Sequence, residues 1–271
     1  MPMLTTNGAT IAYTDTGAPA AVPDAPTIVF GHGLLFSGWM FSAQIAALQD
    51  NYRCVAIDWR GQGDSPVAAG GYDMDTLTAD VRGLIEHLAV GPVHYVGLSM
   101  GGFVGLRLAA RHPELVRSLV LLDTSADAED PSAARQDKLL SVIFRLFGIG
   151  PVRKPVLKLM FGPSFRLDPR SPQLIDDWLA RLARCDRGAI RHAVLGVVDR
   201  NSVLAELGAI AAPTLVAVGE HDVPTPVARA RAIVATIAGS RLEIIPDSGH
   251  SSSIEQPEKV TTLIRDFLEV G

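Results

Sequence analysis

The chain has 271 residues, of which 48% are hydrophobic, enough to bury one large core or a core with a small accessory domain. A net charge of -5 offers no concentrated basic surface for nucleic acid, and no apolar run approaches the length that crosses a bilayer. The start, Met1 to Thr6, lacks a charged segment followed by an apolar one, so neither secretion nor membrane anchoring is expected.

Apolar runs at 10–15, 26–31, 53–58, 93–98, 117–122, 213–219 and 241–245 read as strands. Helical periods near 38–48, 76–89, 100–111, 225–237 and 254–269 alternate with them. This order predicts an α/β fold, and strands that are mostly continuous in apolar residues predict a mostly parallel, doubly wound sheet covered on both faces. The stretch from Gly17 to Pro23 reads as a hairpin connection. After Leu119 to Asp123 the alternation stops, and helical periods fill residues 124–212. Leu139, Leu140, Ile143, Phe144 and Phe147 form one stripe there, and Leu174, Trp178 and Leu182 form another after the start signal Ser171-Pro172. Those residues hold 13 Lys and Arg against 10 Asp and Glu, whereas the rest of the chain holds 11 against 19. Such a balance fits solvated arginines on helix surfaces, or a segment that attracts anionic substrates. Cys54 falls in a strand and Cys185 in a distant polar segment, a poor disulfide framework that matches no metal-ligand spacing. Both are expected as reduced thiols in a cytoplasmic protein, and no metal is expected.

Gly97-Leu98-Ser99-Met100-Gly101 follows the fourth of these apolar runs and opens a helical period. A serine at the apex of a strand-to-helix turn is held in a strained backbone and presented outward, with glycines two residues away on each side where a Cβ would clash. A hydroxyl is a poor nucleophile at neutral pH and needs a histidine base oriented by an acid. Asp222 and His250 each follow the end of a later strand, giving the order serine, acid, histidine. Asp123 also ends a strand, but the loop context of Asp222 before Val223-Pro224 favours Asp222 as the acid. His221 and Asp247 read as local loop residues. The run Gly61-Gln62-Gly63 lacks the third glycine and the following helix of a dinucleotide fingerprint, with Pro66 in that place, so no cofactor is expected. At the start of the helix after the nucleophile, the Met100 amide is placed to donate to an oxyanion.

Further segments resemble the α/β-hydrolase superfamily: His32-Gly33 after a strand, Asp58-Trp59-Arg60-Gly61-Gln62-Gly63-Asp64-Ser65, and Gly249-His250 leading to Glu255-Gln256-Pro257-Glu258. Ser99-Met100-Gly101-Gly102 and the overall spacing are most similar to small bacterial esterases, enol-lactonases and cofactor-free haloperoxidase-like perhydrolases. The resemblance implies an α/β-hydrolase core at 1–123 and 213–271, with a helical cap at 124–212 inserted after the sixth strand. It also implies the Leu34 amide as the second oxyanion donor. Leu35, Phe36 and Trp39 would line an apolar substrate pocket with Phe144, Phe161 and Trp178, unless those aromatics pack the cap on the body.

The expected activity is cofactor-independent hydrolysis of a small-molecule carboxylic ester or lactone through an acyl-enzyme. Perhydrolysis, amide cleavage and C–C bond hydrolysis use the same triad, and a slow-turnover ligand receptor could keep it too. A carboxylate-bearing lactone could be held by cap arginines such as Arg145, Arg166 or Arg184. Neither nucleic acid nor membrane is an expected partner, and the pattern specifies no oligomeric state.

Overall fold

The computed structural model describes residues 1–270. Eight strands, β1 (Met3–Thr6), β2 (Ala9–Asp15), β3 (Thr27–Gly31), β4 (Arg53–Ile57), β5 (Val93–Leu98), β6 (Val116–Leu122), β7 (Thr214–Gly219) and β8 (Arg241–Ile245), form one sheet. Their order is β1-β2-β4-β3-β5-β6-β7-β8. β1 and β2 run antiparallel to their neighbours, and all pairs from β4 to β8 are parallel. This is the α/β-hydrolase fold. The helices are α1 (Ser42–Leu48), α2 (Met74–Leu88), α3 (Met100–Arg111), α4 (Pro131–Phe147), α5 (Arg153–Met160), α6 (Pro163–Leu167), α7 (Ser171–Arg184), α8 (Arg187–Val198), α9 (Val227–Thr236), α10 (Ser252–Glu255) and α11 (Pro257–Val270).

Side chains alternate across a strand, so consecutive apolar residues feed two cores. Val29, Val55, Tyr95, Leu119 and Val216 face one core with Leu77 and Val81 of α2, Phe103 of α3 and Ile233 of α9. Ile28, Cys54, Val96, Val120 and Leu215 face the other, with Leu48 of α1 and Val260 and Ile264 of α11. A buried ion pair locks the first face, Arg60 reaching Asp80 of α2 through two bonds of 2.7 Å.

All the strands expected from the sequence are present, and β1 adds an eighth that its four alternately exposed residues did not signal. With β1 counted, Val116–Leu122 is the sixth strand, and only helices α4 to α8 and short turns lie between it and β7. The 17–23 stretch is not a hairpin connection: β2 and β3 lie on opposite sides of β4, so the chain crosses over between them. The proposed α4 stripe also divides. Leu140, Ile143 and Phe144 face the core, but Leu139 is 60% and Phe147 68% exposed, because five apolar positions span more of the helix than one contact face. Among the described residues no helix is long and apolar enough to cross a membrane.

Candidate active site

Ser99 stands between β5 and α3 with φ 51° and ψ -112°, a conformation that a residue with a Cβ adopts only under strain. The turn is tight enough that a Cβ on Gly97 would strike the Gly101 carbonyl, and one on Gly101 would strike that of Gly31. Both glycines are therefore dictated by contact. The Ser99 side chain is nearly buried yet lines a cavity.

The loops after β7 and β8 bring two more side chains to the same end of the sheet, where a parallel sheet opens its crevice. His250 Nε2 is 2.9 Å from Ser99 Oγ, and His250 Nδ1 is 3.0 Å from each carboxylate oxygen of Asp222. Thr225 orients that carboxylate, its hydroxyl donating to Oδ2 at 2.8 Å and its N–H to Oδ1 at 2.9 Å. Burial pulls the imidazole toward neutrality, but the Asp222 charge and hydrogen bond, aided by Asp123 and Glu255, outweigh it and raise His250 above its ordinary value. Asp123 has a different task. Its carboxylate accepts from Gly219 N–H at 2.8 Å and Ser252 N–H at 3.2 Å, fastening the roots of the Asp222 and His250 loops. Full burial, together with the Asp222 charge, pushes its carboxyl well above the carboxylate range. His221 and Asp247 are exposed loop residues.

The loop after β3 runs beside the elbow because Gly31 pairs in register with Gly97. His32 is buried and clamps it: Nδ1 lies 2.7 Å from the Gly33 carbonyl, and Nε2 accepts from Trp59 N–H at 3.0 Å. These two bonds fix a neutral tautomer, and burial lowers His32 to about 3. The His32 carbonyl accepts from Gly101 N–H at 3.1 Å, joining loop and elbow directly. Leu35 takes φ 69°; Gln62 accepts its N–H at 2.9 Å, and Trp178 donates to its carbonyl at 2.9 Å. The N–H groups of Leu34 and Met100 have no protein acceptor among the described residues. Asp58 braces the neighbouring turn, accepting from Gly38 N–H at 2.7 Å and Asp64 N–H at 2.8 Å.

The sequence assigns no role to Gln62, Thr225 or Glu255, although Gln62 and Glu255 lie in segments that carry the family resemblance. Glu255 lies in the segment after His250, buried, and accepts three backbone N–H bonds: from Gly162 at 2.8 Å, Gly249 at 2.9 Å and Ser251 at 3.0 Å. Burial raises its carboxyl, against the pull of these donors. An acid five residues after a candidate base was the available signal, but carboxylate-to-backbone bonding across the fold has no local pattern.

A cavity of about 450 Å³ opens above Ser99 and His250. Leu35, Phe36 and Phe144 line it as expected, and Leu34 joins them. Trp39, Phe161 and Trp178 do not. Phe36 stacks on Trp178 at 5.3 Å and meets Phe161 edge-on at 6.3 Å, so these rings pack the helices on the body behind the wall. Trp39 lies under the Arg181 guanidinium at 5.0 Å. Arg145, Arg166 and Arg184 are exposed and absent from the wall. Cys54 and Cys185 are free thiols, and burial pushes Cys54 up to about 12. Among the described residues no group of His, Cys, Asp and Glu is placed to hold a metal ion.

Residues 26–150 match the family model described as the alpha/beta hydrolase fold. The chain is 30% identical over 235 residues to a 3-oxoadipate enol-lactonase of Acinetobacter baylyi, covering 87% of this chain and 85% of that one. The solved enol-lactonase of Burkholderia xenovorans superposes with a TM-score of 0.90 at 29% identity, over 99% of this chain and 100% of that one. A thermophilic esterase of Thermogutta terrifontis gives 0.88 at 29% identity, over 99% and 98%. On this likeness across nearly its whole length, the chain belongs to the α/β-hydrolase family.

Proposed function

We propose that the chain is a serine hydrolase that cleaves a carboxylic ester or lactone through an acyl-enzyme. The observation that carries this reading is the unbroken line of hydrogen bonds from Asp222 through His250 to Ser99. Ser99 Oγ attacks the carbonyl carbon as His250 Nε2 takes its proton, and Asp222 holds Nδ1–H and stabilises the imidazolium. The oxyanion that forms accepts from the free amides of Leu34 and Met100, each donor worth about 10²-fold or more in rate. Collapse expels the alcohol oxygen, which takes the proton from His250. Water, deprotonated by the same nitrogen, then attacks the acyl carbon and releases Ser99. Each step uses side chains, backbone and water alone.

Residues 124–212 serve in this reading as a cap over the core at 1–123 and 213–271, since α4, α5 and α8 supply much of the cavity wall. The ester or lactone class is supported by the relatives named enol-lactonase and esterase. Two free thiols suit a reducing cytoplasm. The test is turnover of p-nitrophenyl esters of graded acyl length by the wild type and Ser99→Ala. Turnover with an initial burst, lost in the variant, is expected; ester turnover retained by Ser99→Ala overturns the mechanism.

A further inference from the structure

The cavity wall divides by chemistry. Leu98, Phe144, Val156, Met160, Leu182 and Ile190, all buried, give it a hydrocarbon lining. Among the less buried residues of the same wall, Glu129, Asp130 and Asp137 stand against one cation, Arg229. That cation is already matched, since Arg229 pairs with Asp127. Nearby Arg200 is also taken, bonding Glu129 at 2.8 Å and stacking on Phe103 at 4.1 Å. Asp130 is spent as the N-cap of α4, accepting from Ser132 and Ala133 N–H groups. Asp137 is different: it lies half-buried on the inner face of α4 with no ion-pair or hydrogen-bond partner among the described residues. Burial, then the charge of Glu129, with Arg200 opposing, pushes its carboxyl up to about 6.

From this division, and resting on the hydrolase reading above, we infer that the substrate is a neutral ester or lactone with an extended apolar acyl chain, and that Asp137 turns away substrates bearing a carboxylate. The physical reasons are two. At about 30 Å³ per heavy atom, 450 Å³ accepts roughly fifteen atoms, so a medium-length chain fills the apolar part. A carboxylate entering that space loses its hydration, finds no free cation, and meets an unpaired like charge. The arginines expected from the sequence to bind such a group are all outside the cavity.

The experiment compares p-nitrophenyl octanoate with the mono-p-nitrophenyl ester of octanedioic acid at pH 8, equal in length and differing in a terminal carboxylate. The wild type is expected to favour the neutral ester by about 100-fold in kcat/KM, with kcat/KM rising about fourfold per methylene from butyrate to octanoate. In Asp137→Asn the preference is expected to shrink about tenfold. A wild-type ratio within about threefold of unity, with turnover still lost in Ser99→Ala, overturns this inference and leaves the hydrolase reading standing. A large ratio unmoved in Asp137→Asn overturns the part assigned to Asp137. If neither ester is turned over in a Ser99-dependent way, this inference falls, and the hydrolase reading is decided separately by the graded ester series with Ser99→Ala. Should Asp137→Asn fail to fold, the wild-type ratio is compared at pH 5.5 and pH 8, and a ratio that does not widen as Asp137 becomes charged overturns the part assigned to it.

Discussion

Glu255 grips the chain on both sides of His250, one carboxylate oxygen accepting from Gly249 N–H and the other from Ser251 N–H. A neutral amide cannot repeat this, because its nitrogen would face a donor. Glu255→Gln therefore loses about 1–3 kcal/mol, read as a lower urea midpoint. It also removes a negative charge that raises His250. His250 must be neutral to act as base, so activity rises with pH through its value, and the wild-type acid limb of kcat/KM is expected above about 6.5. In Glu255→Gln that limb moves to lower pH. A limb that stays put would mean Glu255 acts on the fold alone.

Two buried carboxylates lie close to the imidazole, and their bonding assigns them different work. Asp222→Asn is expected to lower kcat by about 10⁴-fold by imposing the wrong imidazole tautomer. Asp123→Asn keeps one carbonyl oxygen for the Gly219 or Ser252 N–H, so its main loss is stability. Steady-state kinetics and thermal unfolding of both variants separate these roles. A greater loss of kcat in Asp123→Asn would reverse the assignment.

Trp178 donates to the Leu35 carbonyl from the helical segment, next to the proposed oxyanion donor at Leu34. Trp178→Phe keeps an aromatic face against Phe36 and removes that bond, at about 1 kcal/mol. Looser placement of the loop is expected to lower kcat several-fold with KM nearly unchanged. A change confined to KM would show that the contact shapes the pocket instead.

Asp80 and Arg60 are both almost fully buried, far from Ser99 in function but central to the sheet's first face. Asp80→Ala leaves a buried guanidinium without its partner and is expected to cost about 3–5 kcal/mol. Urea unfolding would read the loss, while folded material should retain the wild-type KM.

Sequence was most informative where a residue's task is local. Ser99 was legible because its glycines are required by contact within a few residues, and Asp222 and His250 because each directly follows an apolar strand. The sheet was legible for the same reason, except β1, which is too short and exposed to leave a period. The cavity was not. Trp178 and Phe161 read as pocket aromatics, but which side of a helix meets the body depends on how five helices settle together, and no short-range pattern encodes that. The bracing of Leu35 by Gln62 and of His250 by Glu255 escaped for a related reason, since a side chain bonded to distant backbone has no spacing rule.

One corner of the helical segment is welded to the loop that carries His250. A Cβ on Gly162 would come within 2.7 Å of Gly249 N, Glu255 bonds both glycines, and the Ser251 hydroxyl donates to the Met160 carbonyl at 2.7 Å. α4, by contrast, leans chiefly on α8 within the same segment. Tolerance is therefore expected to be uneven: replacements at Ala133, Gln136, Asp137 or Leu140 are expected to reshape the cavity wall and leave the line from Asp222 to Ser99 in place, whereas a side chain at Gly162 is expected to displace the loop that holds the imidazole.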